Sequence, residues 1–154
     1  MAGTILQTQR YPEMNHVLPS SRERVPAHTP TIVNRRLRRQ ADERLKHFAK
    51  HKSQITSRLT ELDREWDIER AIELNASAFA FSGIVLGVTV DKRWLALPAL
   101  VTIFLFQHAI QGWCPPVPVL RRLGFRTVYE IEDERHALND LRSTSASPPK
   151  NGKK

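Results

Sequence analysis

Charged side chains stop after Glu73 and return only at Asp91; they stop again after Arg93 and return only at Arg121. These two charge-free runs, Leu74 to Val90 and Trp94 to Leu120, dominate the pattern of the chain, because the stretches around them are dense in Arg, Lys, Glu and Asp. Ala71 to Val90 and Trp94 to Trp113 are each 20 residues long. As helices rising ~1.5 Å per residue, each covers ~30 Å, the thickness of a bilayer's hydrocarbon layer. Only Asp91, Lys92 and Arg93 lie between them. That spacing predicts two antiparallel helices joined by a tight turn, with Asp91 placed to cap the second. Pro98 falls one turn inside the second helix and predicts a modest kink, while Pro115, Pro116 and Pro118 are expected to end it.

The flanks follow a different period. From Thr31, a candidate N-cap, Val33, Leu37, Ala41, Leu45 and Phe48 recur at helical spacing opposite a face holding Arg35, Arg36, Arg38, Arg39, Lys46 and Lys50. Ile55, Leu59, Leu62 and Trp66 form a second stripe that runs into the first apolar segment with no Pro or Gly to interrupt it. Beyond the prolines, "VLRRLG" reads as a short helical turn closed by Gly124. Thr127 and Glu130 then have the capping-box spacing for a last helix carrying Val128, Ile131, Leu138 and Leu141. Residues 1–30 hold four of the ten prolines and no apolar period, so they read as a disordered extension, and residues 143–154 as a disordered tail. The fold class expected is therefore all-α and membrane-bound. An amphipathic helical region spans 31–70, an antiparallel two-helix transmembrane hairpin lies within 71–124, and a C-terminal helix covers 125–142. A soluble bundle with the apolar pair at its centre fits poorly, because helices charged over more than half their surface cannot cover that pair.

Charge adds orientation to this picture. The chain carries a formal charge of +8 with a pI near 10.2, and its Lys and Arg residues divide as 14 before Ala71, 2 in the short turn and 8 after Trp113. Positive residues remain on the cytoplasmic side, so both termini are expected there and the Asp91–Arg93 turn on the other. Trp94 and Trp113 mark the two ends of their helix as interfacial tryptophans do. Arg35, Arg36, Arg38 and Arg39, on a helix with an apolar stripe close to a bilayer, are assigned to anionic lipid headgroups rather than to nucleic acid.

Candidate chemistry is sparse. Folding the hairpin at Lys92 brings Glu73, Asn75, Gln107, His108 and Gln111 to one depth, and polar groups inside a membrane are candidate sites for a solute or proton pathway or simply interfacial. Cys114 is the single cysteine, which excludes an internal disulfide and a cysteine-based zinc site. It reads as a packing thiol, with a thiolate favoured by Arg121 or Arg122 as the alternative. Glu43, His47 and His51 recur every four residues but lack a further ligand, and neither a metal nor another cofactor is expected. Ala76, Ala80, Gly83 and Gly87 form a stripe of small residues on the first apolar helix, suited to close helix packing, either by the second helix or by another copy in a homo-oligomer.

The exit phrase Gly112, Trp113, Cys114 and Pro115, following a short apolar hairpin, resembles the YgaP-like inner-membrane domain, a bacterial two-helix transmembrane family marked by Gly-Trp-Cys-Pro at the end of its second helix. The likeness covers about Trp66 to Gly124. It implies a bacterial inner-membrane location. Members of that family sometimes carry a rhodanese domain; this chain has no room for one, so sulfur transfer is not implied. The function expected is a non-enzymatic two-pass membrane protein acting as an assembly or accessory module, with a membrane-protein partner. The alternatives are a small oligomeric transporter or channel, and a thiol-based sulfur or redox carrier using Cys114.

Overall fold

In the computed structural model, which describes residues 20–146, seven α-helices follow one another: α1 (Arg24–Ala27), α2 (Thr31–Lys50), α3 (Ile55–Arg64), α4 (Ile68–Thr89), α5 (Ala96–Gln111), α6 (Val117–Leu123) and α7 (Val128–Ala146). Short 3-10 turns at Lys52–Gln54 and Lys92–Leu95 lead into α3 and α5. The described residues contain no strand, only an isolated bridge between Asp67 and Arg126.

Several boundaries follow the sequence signals and others correct them. Thr127 and Glu130 form the expected capping box: the Glu130 carboxylate accepts from the Thr127 N–H at 2.9 Å and the Thr127 hydroxyl accepts from the Glu130 N–H at 3.2 Å. Asp91 accepts from the Arg93 N–H at 2.7 Å, and Gly124 closes α6 with φ 104°. Thr31, by contrast, is the first residue of α2, with Pro30 before it and no side-chain cap. The run from Ile55 into the apolar segment is not continuous. Glu65 and Asp67 are extended, and the Asp67 carboxylate caps α4 by accepting from the Arg70 N–H at 2.7 Å, a start signal that outweighs the absence of Pro or Gly. Pro98 lies in the first turn of α5, one turn after Trp94, which belongs to the 3-10 turn that runs directly into the helix. Gly112, in the left-handed region at φ 74°, ends α5 before the prolines are reached.

Order also extends further than expected at both ends. Residues 20–30, read from the sequence as part of a disordered extension, hold α1, and Val25 is buried to 1% exposure between α4 and the loop after α5. A single anchoring valine leaves no period to detect. Residues 143–146 continue α7. The rest of both expectations, residues 1–19 and 147–154, lies outside the described residues.

Two cores organise the packing. Leu45 of α2, Ile55 and Leu62 of α3, and Ile131 and Leu138 of α7 form one, with Phe48, Leu59 and Leu141 against it. Ile68, Ala71 and Ile72 of α4 meet Val25, Cys114, Val117 and Leu120 in the other, with Phe104, Leu105 and Phe125 against it. The apolar stripe of α2 is therefore spent inside the protein, leaving its arginine face outside. Val128, expected on the buried side of α7, is exposed.

Along α4 and α5, Gly87 faces Leu95 and Gly83 faces Pro98, while Ile72 and Glu73 share a cavity with Leu105 and His108. α4, and α5 together with the 3-10 turn that leads into it (Lys92–Gln111), are long and apolar enough to cross a membrane. Their remaining faces are uncovered: Phe81 is 70% exposed, Val88 80%, Ile103 61% and Phe106 68%. In the apolar window that includes α5, only 6% of positions are buried.

Candidate functional site

The molecule concentrates its polar chemistry in two places, a buried ion-pair network in the bundle and a cavity where α1 meets the ends of α4 and α5.

The network is centred on Glu134 of α7, which is fully buried. Arg44 of α2 reaches its carboxylate at 2.9 Å, Arg58 of α3 also reaches it at 2.9 Å, and Arg126 completes the set. Arg126, just before α7, turns its other nitrogens to Glu65 at 2.7 Å. Burial alone would raise the Glu134 pKa, but the guanidinium hydrogen bonds from Arg44 and Arg58 and the charge of Arg126 overcome it and hold the carboxyl at about 2. A second buried cation, Arg121, bonds Glu130 at 2.8 Å, Asn34 of α2 at 2.9 Å and the Phe125 carbonyl at 3.2 Å. Charges that would be costly alone are thereby satisfied, and they fix the angles of four helices against one another. Sequence reading missed this network because its partners are separated by about the length of the intervening helices: Arg44 and Glu134 are 90 residues apart.

The exit phrase is a structural corner. A Cβ on Gly112 would sit 2.5 Å from the Arg24 carbonyl carbon, so the close approach of α1 and the positive φ both require glycine. Trp113 packs edge-on against Phe104, with ring centroids 6.4 Å apart. Cys114 lies in the core beside Val25 and Val117, and burial pushes its thiol pKa up. Arg121, which was to favour a thiolate there, is committed to Glu130 and Asn34. Burial thus works against a thiolate at Cys114.

Of the five polar groups expected at one depth, the structure brings together two. His108 is 7% exposed and shares a cavity of about 180 Å³ with Glu73. Asn75 is exposed and donates to the Ala71 carbonyl of its own helix at 2.7 Å, Gln107 is half-buried and Gln111 exposed. Arg24 and Glu69 complete the cavity. Neither was singled out from the sequence, Arg24 because it precedes any periodic segment, Glu69 because it reads as one more charge on a polar face.

The stripe of small residues is filled within the chain. Gly83 and Gly87 are buried against Pro98, Leu97 and Leu95, and Ala76 is buried as well. Arg35, Arg36, Arg38 and Arg39 are exposed on α2, with Arg36 donating to the Arg122 carbonyl at 2.8 Å. On the same helix His47 and His51 stack at 4.3 Å, and no group of three metal-ligating side chains occurs among the described residues. Comparison of the chain with protein-family models, curated proteins and solved structures gives no match.

Proposed function

We propose that this chain is a non-enzymatic two-pass protein of a bacterial inner membrane, in which α4 and α5 form a transmembrane hairpin and α2, α3 and α7 form a cytoplasmic bundle acting as an assembly or accessory module for a membrane-protein partner. The observation that carries this reading is the contrast between the two parts. The bundle buries its apolar stripes and ion-pairs its charges, whereas α4 and α5 leave rows of Phe, Ile and Val uncovered, and large contiguous apolar patches are rare on soluble monomers. Hydrocarbon is the medium in which that surface is stable. The corner made by Gly112, Trp113, Cys114 and Pro115 gives the phrase a packing role rather than a chemical one.

Lys and Arg are concentrated on the bundle side of the pair, which supports cytoplasmic termini. With the apolar stripe of α2 already buried, Arg35, Arg36, Arg38 and Arg39 attract anionic headgroups by charge and not by inserting the helix. A homo-oligomer has to use a surface other than the small-residue stripe, which is occupied within the chain. Membrane fractionation tests the proposal: the chain stays in the pellet after carbonate washing and leaves it only with detergent, and release by carbonate would refute it.

A further inference from the structure

Among the described residues, four of the six buried side-chain nitrogen and oxygen atoms without a hydrogen-bond partner belong to residues around one cavity: Nε of Arg24, Oε2 of Glu69, and both ring nitrogens of His108. Native proteins leave few such atoms unpaired, because burial removes the water that would otherwise serve them. Four on one cavity of about 180 Å³, roomy enough for a small polar molecule, mark a place built for a polar occupant.

The chemistry of that occupant follows from the walls. Arg24 enters from α1, steadied by one guanidinium nitrogen on the Ala109 carbonyl at 3.0 Å. Glu69 and Glu73 project from successive turns of α4, and His108 from the last turn of α5, with Ile72 and Leu105 as apolar walls. A lone anion would face two carboxylates and a lone cation would face Arg24. A molecule carrying both signs satisfies the set. We propose that the cavity binds a zwitterion made of a phosphate and a primary ammonium, the phosphate taken by Arg24 and His108 and the ammonium by Glu69 and Glu73. The ethanolamine headgroup of a phospholipid and free phosphoethanolamine both carry these groups. The cavity lies at the ends of α4 and α5 nearest the bundle, the depth at which headgroups sit; the lipid source rests on the membrane reading above.

The test uses the full chain in lipid nanodiscs of phosphatidylglycerol with equal amounts of phosphatidylethanolamine and phosphatidylcholine, followed by native mass spectrometry of the lipid retained on the protein. Phosphatidylethanolamine is expected to be retained about tenfold over phosphatidylcholine, whose methylated ammonium has no hydrogen to donate to a carboxylate. Glu73→Gln, at an exposed position, abolishes the preference, and Glu69→Gln does so independently. Displacement of the retained lipid by soluble phosphoethanolamine assigns the site to the free zwitterion as well; resistance to displacement assigns it to the lipid. Equal retention of the two lipids by the wild-type chain, or a preference unchanged in both variants, overturns the proposal. Failure of the membrane reading is separately visible as a chain that does not enter the discs.

Discussion

Glu134 is the residue on which the bundle depends most. Its buried carboxylate balances Arg44, Arg58 and Arg126, so Glu134→Gln leaves three guanidinium groups facing a neutral amide. Breaking a buried ion pair by removing one partner costs about 3–5 kcal/mol, and a loss of that size is expected in chemical denaturation of the detergent-solubilised protein. The same carboxyl sets an acid limit. Its folded pKa of about 2 lies below the ordinary carboxylate value of 4.5, so its contribution is complete above that value and is lost as pH falls toward 2. Protection factors of α7 amides against hydrogen exchange should therefore fall as pH is lowered between those two values in the wild type, and Glu134→Gln should flatten the dependence. Cys114 gives a second test at this scale. Being buried with a raised pKa, it should alkylate far more slowly than a free thiol at neutral pH and reach the free rate on denaturation. A fast folded-state reaction would restore the case for thiol chemistry.

At the scale of elements, the joints between helices are where single substitutions tell most. Gly112→Ala combines a left-handed backbone cost of about 1–2 kcal/mol with a contact of 2.5 Å on the Arg24 backbone, and should free α1 from the corner. Gly124→Ala carries the backbone cost alone, since nothing lies within 4 Å of its added Cβ. Thermal unfolding should separate the two variants, with Gly112→Ala the lower. Gly83→Ala brings its methyl to 2.5 Å from Pro98 Cδ and should loosen the α4–α5 pair by about 1–3 kcal/mol, whereas Val85→Ala, at an exposed position, should matter much less. Local rules made the Thr127–Glu130 box, the Asp91 cap, the Gly124 stop and the buried stripe of α2 legible in the sequence, because each depends on residues within a few turns. The break between α3 and α4 was less legible, as Asp67 had to be weighed as a cap against an uninterrupted apolar period. Val25, the Glu134 network and the Arg24–Glu69 side of the cavity depend on contacts between distant segments, which periodicity does not encode. The polar cluster was legible only as far as hairpin symmetry reaches, to Glu73 and His108.

The whole molecule divides its surface by solvent. Basic and acidic side chains cover the bundle, while Phe79, Phe81, Val88, Ile103 and Phe106 cover the helix pair, so one end suits water and the other suits lipid. Arg35, Arg36, Arg38 and Arg39, exposed on α2, should enrich anionic phospholipid around the protein. Replacing all four with Gln should lower the anionic share of co-purified lipid, more so at low salt than at high. The central claim is that α4 and α5 cross the membrane with the bundle inside and the Asp91–Arg93 turn outside. Labelling intact cells with a membrane-impermeant thiol reagent tests it most directly, in a Cys114→Ser background with either Lys92→Cys or Glu43→Cys. The account predicts that Lys92→Cys is labelled in intact cells and Glu43→Cys only after permeabilisation. Labelling of Glu43→Cys in intact cells, or of Lys92→Cys only after permeabilisation, would contradict it.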